Sequence, residues 1–146
     1  MTPTIIPIAP QGTSKKTSRA ILCVDDEDSI LDSLKEQLKR SFGQQFVYET
    51  ANSAEEALEV IDELVGDAID VLIILSDWLM PGIRGDELLV RVHQRYPHIV
   101  TIMLTGQANQ TALDRAYNEA NLHKCLRKPW REEDLVNAIL DGLSQV

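Results

Sequence analysis

The sequence predicts an α/β fold, a parallel β-sheet covered by helices on both faces. Short apolar runs rich in β-branched residues alternate with stretches of helical period, giving five β-then-α units along the chain. The run Val71-Leu-Ile-Ile-Leu75 is too short for an ordinary helix and is bounded by turn formers, as a strand buried on both faces would be. A third observation is where the runs stop. The first ends at Asp25 and Asp26, the third at Asp77, the fourth at Thr105, and Lys128 follows the fifth. In a parallel sheet all these ends share one rim, and ligands sit beyond the carboxyl ends of the strands.

The chain in order supports this. Residues 1–18 are rich in Pro, Thr, Ser and Lys without a period, and read as a flexible leader ahead of a domain spanning 19–146. Ala20–Val24 is the first strand. Ile30, Leu31, Leu34 and Leu38 then recur at helical spacing, and Gly43 ends that helix. Gln45–Thr50 alternates as a short strand. Ser53-Ala-Glu-Glu56 reads as a capping box opening a helix whose inner face is Ala57, Leu58, Ile61, Leu64 and Val65, closed by Gly66. Val71–Leu75 runs on to Asp77, and Pro81, Gly82 and Gly85 lead the chain away as a loop. Residues 86–96 are helical, stopped by Pro97. Ile99–Leu104 is the fourth strand. Asn109–Glu119 is a helix with a thin apolar face of Ala112, Leu113 and Ala116, and a weakly anchored helix is a candidate for movement. Leu122–Leu126 is the fifth strand, and Arg131–Leu143 the last helix, with Leu135, Val136, Ile139, Leu140 and Leu143 facing inward.

Composition narrows the function. With 146 residues, 44% of them hydrophobic, the chain can build one domain with a real core but not two comfortable ones. Its formal charge of −9 argues against a nucleic-acid surface on this domain. No apolar run approaches the ~20 residues of a membrane span, and no export signal is visible, so a cytoplasmic location with no membrane partner is expected. Cys23 and Cys125 lie in apolar runs and read as inert core thiols. His93, His98 and His123 have no metal spacing. The absence of GxGxxG and of GxxxxGK[ST] argues against a dinucleotide site and a P-loop.

Asp25 and Asp26 could be helix-capping acids, Asp77 a turn cap, Thr105 a turn residue and Lys128 a surface lysine. All five falling at strand ends is harder to explain that way. Three carboxylates brought together repel, so they take up protons or a cation. Mg²⁺ takes oxygen ligands and is held by carboxylates plus waters and substrate phosphate. A metal, a lysine and a hydroxyl around one carboxylate are what phosphoryl transfer requires.

The motifs Val24-Asp25-Asp26-Glu27, Asp77-Trp-Leu-Met80-Pro81 with Gly85, Leu104-Thr105-Gly106 and Lys128-Pro129-Trp130 together resemble the receiver domain of bacterial two-component response regulators, over about residues 18–144. The resemblance implies a CheY-like, doubly wound sheet of five strands in the order 2-1-3-4-5 with five helices. It implies that Asp77 is the phosphoacceptor, taking a phosphoryl group from a histidine kinase or a histidine phosphotransfer protein. Asp26, Asp77 and the backbone carbonyl of Leu79 would bind Mg²⁺, which Mn²⁺ can replace, with Asp25 acting mainly through water. Lys128 would pair with the phosphoryl group, and Thr105, next to small Gly106, would swing onto it. The Lys128–Pro129 bond is expected to be cis, and Leu79 and Gln107 flank the path of attacking water. Such a domain is a switch and not an enzyme beyond its own phosphorylation and slow dephosphorylation. Its partners would be the phosphodonor protein, a downstream output domain or protein, and a second copy on phosphorylation; the last two helices and the strand between them are the usual partner face. The Leu-Thr-Gly-Gln and Lys-Pro-Trp stretches look most like receivers joined to cyclic-dinucleotide phosphodiesterase or other enzymatic outputs.

One departure stands out. Many receivers carry an aromatic residue three positions before the lysine, and here that position is Cys125. Two alternatives compete with the receiver reading. A haloacid-dehalogenase-like phosphatase also uses an Asp nucleophile after a strand, but needs an Asp where this chain has Leu79. A pseudo-receiver scaffold would not need all five site groups.

Overall fold

The strands form one five-stranded parallel sheet in the order β2-β1-β3-β4-β5 in the computed structural model, which describes residues 18–107 and 109–146. Residues 1–17, read above as part of a leader, lie outside the described residues. The elements are β1 (Arg19–Val24), α1 (Asp28–Phe42), β2 (Val47–Ala51), α2 (Ala54–Gly66), β3 (Asp70–Asp77), α3 (Gly85–Arg95), β4 (Val100–Thr105), α4 (Gln110–Glu119), β5 (Lys124–Arg127) and α5 (Glu132–Leu143). Every β-then-α unit expected from the sequence is present, and so is the predicted strand order.

The helices divide between the two faces. Leu31, Leu34, Leu38 and Phe42 of α1 and Leu135, Ala138 and Ile139 of α5 pack on one side, against Ile21, Cys23, Ile73, Leu75, Ile102 and Leu104. Ala54, Ala57, Ile61 and Leu64 of α2, Leu88, Leu89 and Val92 of α3 and Ala116 of α4 pack on the other, against Leu22, Val24, Ile74 and Met103. Alternate residues of each strand serve opposite faces, so β1 and β3 read as continuous apolar runs. Each fully buried Leu or Ile contributes about 2 kcal/mol of transfer free energy.

Several local readings need correction. Val65 and Leu140, placed on inner helix faces from their spacing, are 42% and 50% exposed. On α5 the core contacts pass instead to Ala138 and Gly142, where the helix approaches the sheet so closely that a Cβ on Gly142 would lie 3.1 Å from Val100. β2 begins at Val47 because Gly43–Gln45 forms a 3-10 turn, opened by Gly43 at φ +60. Gly66 is the last helical residue of α2, and the left-handed turn falls at Ala68. Ser53 caps α2 by accepting from Glu56 N, but the Glu56 carboxylate reaches Asn52 N, one residue further back than a standard capping box. Cys125 is only half-buried, because β5 is an edge strand.

Candidate functional site

β1 and β3 lie side by side at the centre of the sheet, so their carboxyl ends bring Asp25, Asp26 and Asp77 together. One carboxylate oxygen from each lies within 4.8 Å of the others. Asp25 is fully buried. One of its oxygens accepts from Glu27 N at 2.9 Å and the other from Lys128 Nζ at 2.8 Å. The same ammonium lies 3.2 Å from Asp77 Oδ1. Asp26 is exposed at the mouth. Among the described residues these three acids are the one group of three or more His, Cys, Asp or Glu side chains close enough to hold a metal ion together.

Two neighbours set the height of Asp77. Trp78 N donates to Leu104 O at 3.2 Å, tying the end of β3 to β4, and Gly85 N donates to Trp78 O at 2.8 Å. A Cβ on Gly85 would overlap the Asp77 carbonyl oxygen and lie 2.9 Å from Trp78 Cα, so only glycine lets α3 start here. Burial pushes the Asp77 carboxyl above its ordinary range. Lys128 pulls it back, and the Asp25 charge adds to the rise. Burial likewise pulls Lys128 down, but the hydrogen bond to Asp25 and the charges of Asp77 and Asp25 outweigh it, so the ammonium titrates above its usual range.

Thr105 ends β4, with its Oγ1 accepting from Gln107 N at 3.0 Å and its carbonyl accepting from Lys128 N at 3.0 Å. The Lys128–Pro129 peptide bond is cis. Asp26, Glu27, Asp77, Leu79, Thr105, Gly106, Gln107 and Lys128 line a single cleft of about 310 Å³. All the side chains singled out from the sequence for the site therefore meet at one rim, with Asp25 beneath the cleft and Pro129 beside it.

Trp78 and Trp130 read from the sequence as partly buried residues bordering the site, but sequence reasoning missed the bonds that make them supports. Trp78 Nε1 donates to Asp86 Oδ1 at 3.0 Å, and Arg115 of α4 lies 3.5 Å from Asp86 and 2.6 Å from Glu87. Trp130 Nε1 donates to Gln37 Oε1 at 2.8 Å. Asp86 and Glu87 carried a weak signal, since acids favour a helix start. Gln37 carried none.

The family described as the response regulator receiver domain matches residues 21–140. The hydrogenase transcriptional regulatory protein HoxA of Cupriavidus necator is 32% identical over 119 residues, covering 82% of this chain and 23% of its own length. The chain thus spans about a quarter of that curated relative. The crystal structure of a CheY-like response regulator receiver domain protein from Methanospirillum hungatei superposes with TM-score 0.78 at 30% identity, covering 88% of this chain and 96% of that one. The solution structure of the beryllofluoride-activated NtrC4 receiver domain dimer gives TM-score 0.74 at 26% identity, covering 86% and 97%. This chain belongs to the response regulator receiver domain family.

Proposed function

We propose that Asp77 is the phosphoacceptor of this receiver, taking a phosphoryl group from the phosphohistidine of a histidine kinase or a histidine phosphotransfer protein. The observation that carries the reading is the Lys128 ammonium, seated between Asp25 and Asp77 at the mouth of the acidic cleft. In the transfer an Asp77 carboxylate oxygen forms a bond to phosphorus as the histidine N–P bond breaks, and the imidazole nitrogen keeps the electron pair. Lys128 stands where it can neutralise a phosphoryl oxygen.

The site suits Mg²⁺, because it offers only oxygen donors and carries three negative charges against one positive. Asp26, Asp77 and the Leu79 carbonyl are the proposed ligands, with Mn²⁺ able to substitute. Asp25 already has a donor on each oxygen, which favours a role through water. When bound, the ion would screen the carboxylates from the incoming phosphoryl group and balance its charge.

Thr105 is the proposed switch. Its hydroxyl is tied to Gln107 N, so turning it toward a phosphoryl oxygen releases the Gly106–Gln107 backbone ahead of α4. Helix α4 buries only Ala112 and Ala116 and is otherwise tied to α3 by the Arg115 ion pairs, so few apolar contacts oppose its movement. Cys125 is too small to act as an aromatic lever, which leaves two routes for the movement, the backbone alone or the backbone with Trp130, and normal switching in Trp130→Ala removes the second. The signal would reach the face of α4, β5 and α5, and from there an output domain or a second copy of the chain. Leu79 is 47% exposed at the cleft and cannot orient a water, so it prolongs the lifetime of the acyl phosphate. Leu79→Asn is expected to speed dephosphorylation, and an unchanged rate refutes that role.

The decisive test is incubation with Mg²⁺ and acetyl phosphate. One acid-stable, base-labile phosphate per chain is expected, absent in Asp77→Asn and absent when the metal is chelated. Labelling that persists in Asp77→Asn overturns the assignment. Sizing chromatography of the phosphorylated chain tests the second copy as partner.

A further inference from the structure

β5 is a weak support for the residue it has to place. It is four residues long, Leu126 is its one buried residue, and among the described residues it pairs only with β4. Yet Lys128, immediately beyond it, holds its ammonium against two carboxylates at the ends of the well-buried strands β1 and β3. The bond from Lys128 N to Thr105 O fixes the backbone on one side only.

A second hold lies two residues on. The half-buried Trp130 ring packs into the cluster between α1 and α5, and its Nε1–H donates to Gln37 Oε1 at 2.8 Å. Gln37 is itself tethered, its Nε2 donating to Ser33 Oγ one turn earlier at 3.3 Å. Lys128, Pro129 and Trp130 share the walls of a cleft of about 390 Å³ with Ile30, Ser33 and Gln37 of α1. Helix α1 begins at Asp28, directly after the acids. A bond from α1 to Trp130 therefore fixes the lysine loop in the same frame as Asp25 and Asp26. The neighbouring Arg40–Glu132 pair, 2.7 Å apart, crosses the same seam but is exposed, so it holds little.

We propose that Gln37 and Trp130 are positioning residues for Lys128, forming a brace that holds its ammonium at the phosphoryl-binding position. The proposal rests on the phosphoacceptor reading above. Neither side chain touches the phosphoryl group. Loss of the bond lets the loop drift on its short strand, and the alignment of a charge with a transferring group degrades steeply with displacement.

The test uses Trp130→Phe, which keeps a ring and removes the N–H, Gln37→Leu, and the double variant. Mg²⁺ binding and beryllofluoride binding in the presence of Mg²⁺ are measured by titration calorimetry, and unfolding by thermal melting. Each single variant is expected to weaken beryllofluoride binding about tenfold, as a loss of alignment does, with Mg²⁺ affinity nearly unchanged. The double variant is expected to match either single, because both remove one bond. Native beryllofluoride affinity in the single variants overturns the brace. So does a parallel fall in Mg²⁺ affinity, beryllofluoride affinity and melting temperature, which marks a merely structural bond. Native protein that binds no beryllofluoride, or labelling that survives Asp77→Asn, overturns the phosphoacceptor reading itself, and the brace with it.

Discussion

The inner and outer strands of the sheet are built to different standards. In β1 and β3 every residue after the first is buried, and these strands end in Asp25, Asp26 and Asp77. β4 is buried throughout and ends in Thr105, whereas β5, which leads to Lys128, has one buried residue, and α4, which follows the Thr105 loop, buries two alanines. The acids and Thr105 thus stand at the ends of buried strands, while Lys128 follows a short edge strand and the helix after Thr105 has a thin apolar face. A binding pocket needs fixed ligands, and a switch needs a part that can move at low cost.

The contrast can be broken by truncating each half. Ile74→Ala on β3 is expected to cost about 4 kcal/mol and Leu126→Ala on β5 about 2, since the edge site can relax around the cavity. Urea denaturation measures both, and equal losses would erase the distinction. Gly85→Ala tests the junction between β3 and α3. The added methyl has nowhere to go against the Asp77 carbonyl, and overpacking of this kind costs about 3 kcal/mol.

The two cysteines report on the halves separately. Burial pushes the Cys23 thiol on β1 up to about 12 from its ordinary value of 9.0. The folded chain then keeps that proton after the unfolded chain has lost it, so stability falls as pH rises from about 9 toward 12. Relative to Cys23→Ala, the native protein is expected to lose about 1 kcal/mol by pH 10. Half-buried Cys125 should react with a thiol reagent in the folded protein, while Cys23 reacts only on unfolding. The smallest effect belongs to Leu140. Its 50% exposure puts Leu140→Gln within about 0.5 kcal/mol of the native stability, where an inward-facing leucine would cost several times more.

The fold was legible because its signals are local. Apolar runs, caps and glycine stops each act over a few residues, and β-then-α alternation constrains the topology. The site was legible in part because motif residues fall where strands end. Spacing failed at Leu140 and Val65, because a helix of period 3.6 offers more apolar positions than the sheet can cover, and the distance of approach selects among them. On α5 that distance depends on Gly142, whose missing side chain lets Ala138 and Ile139 reach the core.

The sequence by itself determined the order of strands and helices and the identity of the groups at the rim, since both follow from residue type and short-range pattern. Tertiary structure alone decided which groups support them. The Gln37–Trp130 bond and the seat of Gly85 on the Asp77 carbonyl join segments distant in the chain or set at a particular height. Such contacts are fixed only when the helices dock, because they depend on distances between elements, which no local pattern encodes.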